Sequence, residues 1–178
     1  MSTVEAAWMP YGTMLYSGNQ GEISFDSDTA WALAGSVGYE IDGGLEVGFT
    51  TRVIANEKLT CCDFRATELI VGPKLTFHVH PVRELDVQFV VSPDYSHVFF
   101  PSDAGWPDPS GLTVDFAGTL GYSLGDRLWL LGTLGYQRGF QHTTEMSEAT
   151  PLHPTPMELD TNFATDYAYL AAGVAYRF

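Results

Sequence analysis

His78 and His80 are separated by a single residue, a spacing that turns two imidazoles to the same side of an extended strand. Two imidazoles on one face can hold a divalent metal when further ligands come from elsewhere in the fold. Asp86 follows across a short turn, but the order of residues secures no third ligand and no cysteine is near, so no metal site and no cofactor are expected. A larger constellation is made of charges. Glu5, Glu40, Glu46, Glu68, Asp86 and Asp115 fall on the same side of their segments as Arg52, Lys74 and Arg177, with His78 and His80 beside them. Charges turned away from water must be paired or neutralised. If their common side lines a narrow interior, an ion-pair and hydrogen-bond network is the expected result, and a water-filled path selective for cations is the alternative.

Two further stretches carry reactive or adhesive groups. His142-Thr143-Thr144-Glu145, with Ser147 and Glu148, combines an imidazole with hydroxyls and carboxylates, the ingredients of an activated nucleophile. It lies in a Pro-rich stretch, a poor frame for a triad, and no catalytic residue is assigned. Tyr95, Val98, Phe99, Phe100 and Trp106 make a markedly apolar segment. Phe99, Phe100 and Trp106 are the expected surface contacts for an extracellular ligand, since exposed aromatic clusters mark contact surfaces. Packing over the mouth of the fold is the other use of such rings.

These side chains need elements to position them. Aromatics are 13% of the 178 residues, glycines number 18, and only 17% of residues are charged, a composition that favours an all-β chain. The net charge of -14, from 22 acidic and 8 basic residues, argues against nucleic acid as a partner. Mean hydropathy is -0.01 and no apolar run reaches the roughly 18 residues of a membrane helix. A transmembrane barrel escapes that test, because its strands alternate. Cys61 and Cys62 are adjacent and cannot staple distant segments; a free or surface-reactive pair, or simply tolerated thiols, is expected ahead of a metal or redox role.

Period-two alternation marks eight strands, near Val4–Tyr16, Thr29–Ile41, Leu45–Asn56, Thr67–His80, Leu85–Tyr95, Gly111–Leu124, Arg127–Gln141 and Asn162–Phe178. Three connections are tight turns: Asp42-Gly43-Gly44, Pro81–Glu84 and Gly125-Asp126. Four are long and acidic, near 17–28, 57–66, 96–110 and 142–161. Short turns therefore share one end with both termini, the plan of an antiparallel up-and-down β-barrel forming one domain over 1–178. One side of each strand collects bulky groups, as in Leu112, Val114, Phe116, Leu120 and Tyr122, while Thr113, Asp115, Thr119 and Ser123 take the other. Eight strands enclose room only for closely packed side chains, so the bulky set belongs outside, in lipid. The run Leu128-Trp129-Leu130-Leu131 leaves its strand ambiguous. Pro73 and Pro93 are expected to lie opposite each other or nearly so, where they either gap the wall or mark a bulge.

With these features in place, the whole chain resembles the eight-stranded bacterial outer-membrane β-barrel superfamily, OmpA-like or OmpX-like in size and layout. Its most specific element is Gly173-Val-Ala-Tyr-Arg-Phe178, and Val71-Gly-Pro-Lys-Leu-Thr-Phe77 is similar to segments of other bacterial barrels. The resemblance implies a Gram-negative outer-membrane location, termini in the periplasm, and Tyr176 and Phe178 as the signal read by the barrel insertion machinery. It implies lipopolysaccharide and outer-membrane lipid as surroundings. The acidic clusters between the apolar segments are expected to be solvated loops, with divalent-cation bridging to lipopolysaccharide phosphates as the alternative. Such a chain needs a leader, and Met1-Ser-Thr-Val-Glu has none, so a mature form with an added Met is expected. Among the functions that the superfamily hosts, a structural or adhesin-like surface protein with a packed polar lumen is expected first. A narrow passive channel and a lipid A-modifying enzyme are the alternatives; a PagL-like His/Ser/Glu set and a PagP-like lateral opening are the two forms the enzyme would take.

Overall fold

The computed structural model describes residues 1–18, 21–27, 29–56, 65–101, 108–146 and 158–178. They form nine strands: β1 Ser2–Gly18, β2 Gly21–Ser27, β3 Ala30–Asp42, β4 Leu45–Asn56, β5 Thr67–Val82, β6 Leu85–Phe99, β7 Ser110–Ser123, β8 Leu128–Met146 and β9 Glu158–Tyr176. Every neighbouring pair is antiparallel, and β1 pairs with β9 to close the sheet. The result is an all-β, up-and-down ring of eight strands.

The ninth strand is a subdivision. β2 pairs with β1 from Gly12↔Ser27 to Gly18↔Gly21, and β3 continues in the same register from Met9↔Ala30 to Ser2↔Val37. Together β2 and β3 make one wall, interrupted opposite Pro10, which has no N–H to give a ladder. The segment expected as a loop over 17–28 is thus mostly a hairpin, because the long β1 offers its upper half a partner. The β1–β9 register also shifts between Trp8 and Tyr11, a bulge at Met9-Pro10 that reverses which side chains turn inward. Before it Thr3, Ala7 and Met9 point in; after it Gly12 and Met14 do.

The inside-outside alternation follows the sequence. On β7, Leu112, Phe116, Leu120 and Tyr122 are exposed on the outer wall while Thr113, Asp115 and Thr119 are buried. The ambiguous run in β8 resolves with Trp129 and Leu131 inward and Leu128 and Leu130 outward. The inward pair fits because the neighbouring strands are small there: Gly121 and Gly173 flank Leu131, and Ser123 and Ala175 flank Trp129. Gly43 and Gly44, with φ of 60° and 86°, make the β3–β4 connection a left-handed two-residue turn that other residues resist. At the opposite end the ladders run past their expected limits, to Phe99 in β6 and to Met146↔Glu158 between β8 and β9. Cys61, Cys62, Trp106, Ser147 and Glu148 lie outside the described residues.

Candidate functional site

The lumen is the place where the sequence's charges meet, and it is filled in layers. At the centre, Arg52 of β4 reaches across to β7, β8 and β9. Its Nη2 donates to Asp115 Oδ2 at 3.0 Å and lies 3.2 Å from the Tyr169 hydroxyl, and its Nη1 donates to Gln137 Oε1 at 2.8 Å. Tyr169 closes the triangle by donating to Asp115, at 2.9 Å from Oδ2. The guanidinium also stands over the Tyr169 ring, 4.7 Å from its centroid. Around this brace, Lys74 Nζ donates to Ser36 Oγ at 3.0 Å, and Thr133 donates to Glu5 Oε1 at 2.7 Å. The cavity left among Glu5, Ser36, Arg52, Lys74, Asp115 and Tyr169 is about 30 Å³, room for one or two waters.

Above the brace, Gln141 Nε2 lies 3.0 Å from Glu68 Oε1, 2.8 Å from Ser96 Oγ and 3.2 Å from Thr165 Oγ1, joining β8 to β5, β6 and β9. Higher still the filling is apolar: Met14, Ala66, Val98, Phe100 and Phe163 form one buried cluster, with the Phe100 and Phe163 rings 5.8 Å apart. Beside the packed polar filling that the sequence leads one to expect, a second apolar cluster lines the inner side of β1, β3, β4, β5 and β9. It includes Ala7, Met9, Ala30, Ala32, Ile54, Ile70 and Tyr167. Several small alanines there give the longer side chains space to pack.

At the short-turn end, Asp86 gathers three hydrogen-bond partners. His78 Nδ1 is 2.9 Å from its Oδ2, Gln88 Nε2 donates to Oδ2 at 3.0 Å, and Arg177 Nη2 does so at 3.0 Å. His80 Nε2 stands 3.6 Å from Oδ1. Arg177 also lies over the Trp129 ring, 4.6 Å from its centroid.

Of the ten residues expected in the interior network, Glu46, Glu68, Lys74, His78, Asp86 and Asp115 are buried, and Arg52 and Arg177 are partly so. His80 lies at the rim, next to the Val79/Val82 bulge. Glu40 departs from the expectation and is exposed at the short-turn rim, one pair from the end of the β3–β4 ladder, where solvent can reach it. Sequence reasoning missed Gln137, Gln141 and Tyr169; their inward parity on β8 and β9 was the available signal. Of the aromatic contact set, Phe99 is exposed with its ring 4.4 Å from His97, whereas Phe100 is buried over the lumen mouth. Continued alternation past buried Val98 is what turns Phe100 in. Tyr176 and Phe178 are exposed at the short-turn end with their rings 5.6 Å apart.

Outside the barrel, His142 joins two neighbours on the upper wall. Its Nδ1 is 3.1 Å from Asn162 Oδ1 and its Nε2 is 3.1 Å from Thr144 Oγ1. A cleft of about 210 Å³ lined by Leu15, Phe140, His142, Asn162 and Ala164 lies beside them.

Solved structures share this architecture. Neisserial surface protein A matches with a TM-score of 0.56 at 12% identity, over 99% of this chain and 97% of that one. The attachment invasion locus protein Ail of Yersinia pestis matches at 0.50 and 9% identity, over 99% and 97%. The outer membrane protease OmpT of Escherichia coli matches at 0.53 and 7% identity, over 99% and 96%. No protein-family model matches the chain, and neither does any curated protein. The chain thus has the fold of an outer-membrane β-barrel.

Proposed function

We propose that this barrel sits in a Gram-negative outer membrane as a structural and surface-interaction protein, with its short turns and termini in the periplasm and its long connections at the cell surface. The observation that carries the reading is the filled lumen. A channel needs a continuous wet path, and here the Arg52–Asp115–Tyr169 brace and the Met14/Val98/Phe163 cluster lie in series along the axis. Side chains on the outer wall match a hydrocarbon solvent, which leaves the segments beyond the upper ladders as the surface available to partners. The architectural likeness to Neisserial surface protein A and to Ail supports a surface role. Exposed Phe99 stands where such a surface begins. The test replaces 102–107 by a Gly-Ser linker and measures attachment of barrel-bearing cells to host-cell and glycan surfaces. Attachment that falls while the barrel still folds agrees with the reading; attachment equal to that of cells lacking the barrel in both forms contradicts it.

A second reading has its own observation. The Thr144–His142–Asn162 chain places a hydroxyl on one imidazole nitrogen and an orienting amide on the other, beside an apolar cleft, as acyl-ester hydrolysis requires. Lipid A acylation that changes on expression, and reverts with both His142→Ala and Thr144→Ala, would support it.

A further inference from the structure

The short-turn mouth contains a second cluster that the sealed lumen does not use. We propose that His78, His80 and Asp86 form a binding site for a zinc-class divalent cation, with Arg177 holding the place of the metal's charge when none is bound.

Each of the three residues offers one donor atom, and these atoms lie within 4.8 Å of one another. His78 and Asp86 are almost fully buried, yet His78 Nε2 and Asp86 Oδ1 have no hydrogen-bond partner among the described residues. Buried polar atoms left without partners are costly, and a site that is built but unfinished is one explanation for them. The bulge between Val79 and Val82 sets His80 at the rim, where it is about a third exposed. Its Nε2 looks toward Asp86 Oδ1 at 3.6 Å, and its ring is stacked near that of His78, 6.1 Å apart and 11° from parallel. Two imidazoles and one carboxylate suit zinc, nickel or copper rather than the all-oxygen shells of calcium or magnesium. Three protein ligands leave a fourth position for water. An entry path exists, since a cleft of about 250 Å³ lined by Gly38, Glu46, His78, Arg177 and Phe178 opens at the same end.

Arg177 makes the site a competition. Its Nη2 lies 3.0 Å from Asp86 Oδ2 and 3.3 Å from His80 Nε2, so a metal that takes His80 Nε2 must displace the guanidinium from it. The residue follows the last strand, and its side chain is partly open to solvent, so it can swing out. Trp129, beneath the guanidinium, reports that movement.

The test is calorimetric titration of the refolded full chain with zinc chloride, with tryptophan emission recorded in parallel. The expected result is one zinc per chain with an emission change. Affinity falls by about tenfold or more in His80→Ala and in Asp86→Asn. It rises in Arg177→Gln, and is unchanged in His97→Ala, a histidine at the opposite end. His80 is at the rim, so its variant folds even if Asp86→Asn does not. Zinc that fails to bind the parent chain, or binds His80→Ala as tightly as the parent, overturns the proposal.

Discussion

Pro73 on β5 and Pro93 on β6 stand directly opposite one another. The β5–β6 ladder runs in one register from Thr67↔Phe99 to Val71↔Tyr95 and resumes, without a shift, at Leu75↔Val91. Between them it is broken. Residues directly opposite in an antiparallel pair can exchange two N–H···O bonds, and two prolines can donate neither. Both proline rings face outward, so the interruption lies in the outer wall rather than at a turn.

The double variant Pro73→Val/Pro93→Val restores those two donors. The new amides at positions 73 and 93 should exchange slowly, and the barrel should gain about 1–3 kcal/mol from two hydrogen bonds. Exchange followed by mass spectrometry, with urea unfolding in micelles, measures both. Fast exchange at these two amides would mean that the gap has another cause.

Arg52 is the only cation bonded to Asp115 among the described ion pairs. Arg52→Ala leaves that carboxylate buried in the lumen, and the expected loss is about 3–5 kcal/mol. Arg52→Met/Asp115→Leu removes both charges and should recover much of the loss. Urea unfolding of the three proteins decides; a single variant as stable as the parent would remove the brace from the account.

Leu120 and Thr119 are neighbours on β7 with opposite surroundings, Leu120 about half exposed on the wall and Thr119 buried in the lumen. Leu120→Arg should cost about 2–4 kcal/mol if that wall meets the bilayer midplane. Thr119→Ser keeps the hydroxyl that bonds Thr133 and should change little. Folding yield into liposomes and the gel heat-shift distinguish them; equal tolerance would contradict the assignment of faces.

Alternation made most of this fold legible in the sequence. Leu120 against Thr119, the Gly43-Gly44 turn and the opposition of Pro73 to Pro93 follow from local pattern and turn geometry. Features that depend on nonlocal partners did not. Gly21–Ser27 is short and acidic, and it becomes a strand only because β1 extends upward beside it. Met14 faces inward only because the Met9-Pro10 bulge reverses parity. The Trp129/Leu131 choice was set by small residues on flanking strands. In the site, the inward charges on β4 to β7 were readable, but their pairing was not, since Arg52 and Asp115 are 63 residues apart. The approach of Asp86 to His80 likewise depends on the bulge beside His80, which no spacing rule supplies.

Phe163 in the upper apolar cluster should be expendable for sealing though not for stability. Phe163→Ala should cost about 3–5 kcal/mol, as other large-to-small changes in packed cores do. Its bilayers should stay silent, because the central brace remains. Conductance in this variant would place the seal at the upper mouth alone.

The most direct test of the sealed lumen is single-channel recording of the refolded parent chain in a planar bilayer, after a gel heat-shift confirms folding. The filled lumen predicts a flat baseline at voltages where a control porin conducts. Steady, cation-selective openings would contradict it and make Glu5, Glu46, Asp86 and Asp115 the lining of a pore.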